Sequence, residues 1–241
     1  MRIHHVTDAS SSGVLASVTT LARAQSELPD ADVAFTYVPR HDSPPLEEIR
    51  ALCGPAVTVR RGTAHPRLAV PALTLQLARI LAGERDAAVH LHSSRAGLIG
   101  RVLAVLTGAR SRTLYSPHCF AFDRTDLDPV RRRALLALEQ IGTLLGPRLV
   151  LVSATEEDLA QHSLPRPRTA VLANRVPVES LRRHRTGTDA PRDTGSGDVL
   201  AIVHVGRIAA QKRPAAFRSI AEAWDTDPEL PPARFTWIGE G

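Results

Sequence analysis

Of the 30 basic residues only Lys212 is a lysine, and it stands in the run Val205-Gly206-Arg207-Ile208-Ala209-Ala210-Gln211-Lys212-Arg213-Pro214. Cations beside a proline-started helix make a cradle for a diphosphate, because helix N–H groups and ammonium or guanidinium groups all favour phosphate oxygens. Ser10-Ser11-Ser12-Gly13 is a second place of this kind, a loop opening a helix with its N–H groups free for an anion. His90 and His92 alternate at the end of an apolar run, so they face one side of a strand, and Ser93 follows them. A metal would need a third ligand with outer support, and none is visible nearby in the sequence, so no metal is expected. His118, in Tyr115-Ser116-Pro117-His118-Cys119-Phe120-Ala121-Phe122, directly follows another short strand. It reads equally as a buried structural imidazole or as a group that binds substrate or handles a proton. The Asp-x-Asp triplets Asp30/Asp32, Asp126/Asp128 and Asp225/Asp227 do not end apolar strands, where a divalent ion could be held against a diphosphate.

The elements that would position these residues alternate along the chain. Apolar strands are expected at residues 2–7, 32–38, 56–59, 87–91, 113–115, 149–152 and 170–172. Helical spacing fills 14–28, 68–81, 96–107, 129–145 and 154–161, with Asp128 as N-cap and Pro129 at the first helical position. Strand alternating with helix predicts an α/β fold, a doubly wound, mostly parallel sheet covered on both faces. This Rossmann-like domain is expected over 1–180, followed by a polar linker over 181–198. The pattern then restarts as a strand at 199–205, a helix at 214–224 and a strand at 234–238, so 199–241 is expected to open a second, incomplete Rossmann-like domain.

A length of 241 residues fits between one and two domains of roughly 150 residues. Hydrophobic content of 43% excludes disorder of the whole chain, and two cysteines exclude both a disulfide framework and a four-cysteine zinc site. The N-terminus lacks a basic region leading into an apolar stretch, so a cytoplasmic protein is expected. The apolar stretches 68–82 and 96–106 are interrupted by Gln76, Arg79 and Arg101 and fall short of the roughly 20 residues of a membrane span. The net charge of +5 is spread over every segment, and aromatics are only 4%, so no nucleic-acid partner is expected. In the helix after Asp128, Arg131, Arg132 and Arg133 precede Leu135, Leu136, Leu138, Ile141, Leu144 and Leu145. Such a helix could lie on the inner face of an anionic plasma membrane as a peripheral contact. Core packing with a solvated Arg face is the preferred reading.

Taken together, the Gly13 loop, His90 to Gly97 (HLHSSRAG), YSPHCFAF, Leu151 to Ala160 (LVSATEEDLA), Ala173 to Pro177 (ANRVP), VGRIAAQKRP and Phe235 to Gly241 (FTWIGEG) resemble the family 4 retaining glycosyltransferases of the GT-B fold. The resemblance implies sugar transfer from a nucleotide-diphosphate sugar, UDP- or GDP-linked, to a glycan or lipid-linked acceptor in bacterial polysaccharide or glycoconjugate synthesis. It implies retention at the anomeric carbon, with no cofactor and no metal. By the same resemblance His118, Arg207 and Lys212 are the catalytic groups. Gly13, Arg207 and Lys212 bind the donor diphosphate, while Ser12, His92, Ser93, His118 and Asn174 line the substrate cleft. Three departures stand out: Ser12 replaces a first glycine, Asn174-Arg175-Val176-Pro177 replaces Asn-Gly-Val-Asp, and Gly241 precedes the family's Glu-x7-Glu segment. The chain alone is therefore expected to be inactive. The alternatives are a non-catalytic or truncated relative that binds an acceptor or partner, and a nucleotide-sugar epimerase of the same fold.

Overall fold

The computed structural model describes residues 1–63, 65–175 and 199–239. Of the sequence readings, the linker over 181–198 and the positions Val176, Pro177, Glu240 and Gly241 lie outside the described residues. Two compact units divide the chain: Met1–Asp123 with Pro129–Pro177, and Arg124–Asp128 with Val178–Gly241.

The first unit is a seven-stranded sheet of β1 (Arg2–Thr7), β2 (Asp32–Tyr37), β3 (Val57–Arg61), β4 (Ala87–His92), β5 (Thr113–Ser116), β6 (Arg148–Leu151) and β7 (Thr169–Val171), in the order β3-β2-β1-β4-β5-β6-β7. Every neighbouring pair is parallel. Its helices are α1 (Ser12–Ser26), α2 (Leu46–Cys53), α3 (Ala69–Gly83), α4 (Ser94–Leu106), α5 (Pro129–Leu144) and α6 (Ala154–Ser163). Parallel strands need crossover helices, and the apolar faces of those helices form two cores. Leu15, Val18 and Ala22 of α1 pack with Ile49 and Cys53 of α2 over β1 to β3. The second core joins α3, α4 and α6 to β4, β5 and β6. The doubly wound sheet expected from the strand-helix alternation is the one observed, and its direction reverses between β1 and β4, where such sheets bind ligands.

Two parts depart from the sequence reading. Helix α2 is an addition: it is two turns long, starts after Pro44-Pro45, and buries only Ile49 and Cys53, too short a pattern to stand out from a loop. In α5 the face turned inward carries Glu139, Gly142 and Thr143, whereas Leu138, Ile141 and Leu144 are exposed. Core packing with a solvated Arg face, the preferred reading, is thus corrected in part: Arg131, Arg132 and Arg133 are exposed and Leu135 and Leu136 pack against the core, but Leu138, Ile141 and Leu144 stay exposed. The physical reason is a buried charge in α4. Arg101, 1% exposed, donates to Glu139 at 2.8 Å and lies 4.3 Å over the Tyr115 ring, while Tyr115 Oη donates to Glu139 at 2.9 Å. A buried guanidinium needs its carboxylate, so α5 turns Glu139 inward. Gly142 makes room, since a Cβ there would stand 2.2 Å from Arg101 Cζ.

The second unit contains β8 (Leu200–Val205), α7 (Pro214–Thr226) and β9 (Ala233–Ile238), with β8 and β9 parallel. None of its described residues is buried. Val203, Val205, Ile220 and Ile238 stay more than half exposed. A two-stranded sheet with one helix supplies no layer over its second face. No helix among the described residues is long and apolar enough to cross a membrane.

Candidate functional site

At the switch point, parallel register sets His5 of β1 beside His90 of β4, and His92 of β4 beside Ser116 of β5. Alternation puts His5, His90 and His92 on one face, and the nitrogen atoms they offer lie within 4.8 Å of one another. The sequence reading found no third imidazole near His90 and His92; the structure supplies one, His5. Its signal was the period-2 position in β1, but only the pairing of strands distant in sequence reveals it. His5 Nδ1 is 3.0 Å from His92 Nε2, and His92 Nδ1 is 2.9 Å from His118 Nε2. At the far end His5 Nε2 meets Gln25 Oε1 of α1 at 2.6 Å. His90 packs on His92 with ring centroids 4.0 Å apart and reaches Ser116 Oγ at 2.8 Å; that hydroxyl donates in turn to Val150 O at 2.6 Å.

Burial governs the protonation of this group. It pushes His5 and His118 down to about 4 and holds His90 and His92 well below the usual imidazole range. All four rings are therefore neutral at physiological pH, each with one donor and one acceptor nitrogen.

A cavity of about 270 Å³ opens beside the imidazoles. His92, His118 and Asn174 line it together, with Ser17, His90 and Arg175. Ser17 Oγ donates to Asn174 Oδ1 at 2.5 Å. Both His118 (φ 53°) and Cys119 (φ 89°) occupy the left-handed region, an unfavourable conformation for such side chains, held here by a partner. That partner is Glu156: its carboxylate accepts from Cys119 N at 2.8 Å and from Val152 N at 2.8 Å, while Ser153 Oγ accepts from Glu156 N at 3.1 Å. Ser153-x-x-Glu156 is a helix-start signature, legible in the sequence as a cap though not as a support for His118.

Ser93, grouped with the cleft by resemblance, turns elsewhere. Its hydroxyl donates to Asp8, a carboxylate 2% exposed that also pairs with Arg40 at 3.1 Å and Arg95 at 3.3 Å. Asp8 was not singled out from the sequence. The Ser/Gly loop enters α1 with Ser11 as N-cap, whose side chain does not cap the helix. Gly13, in the first turn, has open space where a Cβ would be. Ser12 begins α1.

In the second unit the ends of β8 and β9 press together. Gly206 N donates to Ile238 O at 2.9 Å, Trp237 Nε1 donates to Gly206 O at 2.6 Å, and a Cβ on Gly239 would stand 2.0 Å from Gly206 O. The chain then runs through Arg207 to a short 3-10 turn, Ala210–Lys212, and α7 starts at Pro214 with Arg213 (φ 52°) as a cap that makes no side-chain bond. Arg207 and Lys212 are exposed, and among the described residues neither has an ion-pair or hydrogen-bond partner for its side chain.

No known family model and no curated protein matches the sequence. Solved structures do. UDP-GlcNAc 2-epimerase from Neisseria meningitidis, bound to UDP-GlcNAc, matches with a TM-score of 0.58 at 12% identity, over 98% of this chain and 65% of its own. The apo lipopolysaccharide outer core galactosyltransferase WaaB gives 0.58 at 13% identity, over 100% and 61%. Sucrose-phosphate synthase from Thermosynechococcus elongatus gives 0.59 at 12%, over 99% and 62%. The chain thus spans 61 to 65% of the length of these structures. Identities this low show the fold alone: a Rossmann-like first unit, matching proteins of the GT-B fold, followed by a β-α-β unit.

Proposed function

We propose that the chain belongs to a glycosyltransferase that moves a sugar from a UDP- or GDP-sugar to a glycan or lipid-linked acceptor, with retention and without a metal. The observation that carries this reading is the turn after β8, where Arg207 and Lys212 have no counter-charge among the described residues and α7 begins without a side-chain cap. Charge that builds on a departing diphosphate would be met there by fixed cations and helix N–H groups, the work a divalent ion does in other sites. In the first unit taken by itself, Gly13 stands in an open first turn of α1, where backbone N–H groups can meet an anion. Asn174 and His118 offer polar atoms to the sugar from the cavity wall, where His92 stands behind His118. The exposed Val130, Ile141 and Leu144 of α5, alongside Arg131 and Arg133, support peripheral contact with an anionic membrane where a lipid-linked acceptor would reside.

The likeness to an epimerase solved with UDP-GlcNAc favours a second reading, in which the same diphosphate turn serves an epimerase that turns over without an acceptor. Calorimetric titration of UDP and GDP into the 241-residue chain in excess EDTA tests what the two readings share. Binding should persist in EDTA and weaken about tenfold, roughly 1.4 kcal/mol, in Lys212→Ala. Binding that EDTA abolishes, or that Lys212→Ala leaves intact, overturns the role of the turn; no nucleotide affinity at all favours a non-catalytic relative.

A further inference from the structure

His118 is the last ring of a hydrogen-bonded row that runs Gln25, His5, His92, His118, with contacts of 2.6, 3.0 and 2.9 Å. A neutral imidazole donates from one nitrogen and accepts at the other, so in such a row the proton position on one ring dictates that on the next. Gln25 turns its carbonyl oxygen to His5, which places the His5 proton on Nε2 and leaves Nδ1 as acceptor. His92 must then donate from Nε2 and accept at Nδ1, and His118 must donate from Nε2. His118 Nδ1 is left as a lone pair with no partner among the described residues, on a ring that lines the cavity. The reverse polarity is satisfied only if Gln25 presents its amide N–H₂ instead.

His90 keeps the row in place without belonging to it. Ser116 donates to Val150 O, so its lone pair takes the His90 Nε2 proton, and the His90 ring packs against His92. One proton assignment therefore satisfies the His5–His92 and His92–His118 contacts. It also accounts for the approach of His5, His90 and His92 without a positive charge, where no carboxylate among the described residues contacts this row.

We propose that Gln25 and His5 are positioning residues for His118, holding its proton on Nε2 so that Nδ1 meets the ligand in the cavity as a hydrogen-bond acceptor. The group accepted there is a neutral donor, a hydroxyl or an N–H, and not an anionic oxygen. Its identification as a sugar hydroxyl rests on the function proposed above, whereas the proton position does not.

The test is long-range ¹H–¹⁵N spectroscopy of the histidine rings in the whole chain at neutral pH, which reads the protonated nitrogen of each ring without any ligand or turnover. The wild type should show His5, His92 and His118 all protonated at Nε2. Gln25→Lys offers an ammonium, which donates only, so His5 Nε2 has to accept and all three rings should change to the Nδ1-protonated form. In a His5→Phe background the same substitution should leave the His118 tautomer unchanged. A wild-type His118 protonated at Nδ1 overturns the proposal, as does a folded Gln25→Lys variant whose His118 does not switch. Stoichiometric Zn²⁺ uptake that removes the proton from His92 Nε2 also overturns it. Should Gln25→Lys fail to fold, the wild-type spectrum decides alone. Nucleotide binding is measured separately, so loss of the diphosphate role and loss of the tautomer row are told apart.

Discussion

The two units hold their chemistry in opposite ways. In the first, the polar groups are mostly buried and paired: His5, His90 and His92 buried with half-buried His118 at the end of the row, Asp8 between Ser93 and two arginines, and Arg101 of α4 locked to Glu139 of α5. In the second, among the described residues, Arg207 and Lys212 are exposed and without partners on a unit that buries none of its side chains. Burial penalises charge, so the interior carries neutral hydrogen-bond chemistry or closed ion pairs, while free cations stay at the surface where water solvates them until a ligand arrives. Changes in the first unit should therefore appear as stability and changes at the second unit's turn as binding.

The sharpest way to break that contrast is to remove one half of an ion pair in each unit. Glu139→Ala leaves Arg101 charged and buried, and should cost about 3–5 kcal/mol in urea unfolding. Arg218→Ala in α7 removes an exposed pair with Glu222, whose side chains are 81% and 61% exposed, and should not move the urea midpoint measurably. Comparable losses from the two would end the distinction.

A smaller effect per step is expected from acid. The folded pKa values of His5 and His118 lie near 4, below the roughly 6.5 of an unfolded chain. The unfolded state therefore binds protons first as the pH falls. Stability is fully present above about pH 6.5 and is lost between there and about pH 4, at up to about 1.4 kcal/mol per pH unit for each imidazole. Urea midpoints measured across this window check it, and His5→Phe should flatten the slope. An unchanged midpoint down to about pH 4 would contradict the neutral buried row.

Smallest in energy is the second unit's own prediction, the tenfold loss of nucleotide affinity in Lys212→Ala. It should leave the urea midpoint where it was, because the side chain touches no partner among the described residues. A destabilised Lys212→Ala would place this turn with the buried, paired chemistry of the first unit.

Much of this was legible before folding. The strands β1, β2 and β4 were legible as short runs that carry Ile3 and Val6, Val33 to Phe35, and Ala87 to Val89 between turn signals, and α3 and α4 read through their periodic apolar positions. Helix α2 escaped because two turns with two buried residues carry little periodic signal. At the site, His92 and His118 could be named because His92 ends one strand and His118 closely follows another. Gln25 and His5 could not, since their roles depend on partners 20 and 87 residues away. The inward face of α5 was misread for a related reason: hydrophobic spacing ranks leucines for the core, and the buried guanidinium of Arg101 outweighs it.

The sequence by itself determined the alternation of strand and helix, hence the parallel doubly wound sheet, and the cation-bearing turn around Lys212, because periodicity and helix-start chemistry act over a few neighbouring residues. Only the tertiary structure decided which imidazoles meet, which carboxylates are buried and which side of α5 faces in. Those depend on the crossover that returns the chain from β3 to β4, beside β1. That return sets the register in which His5 stands next to His90.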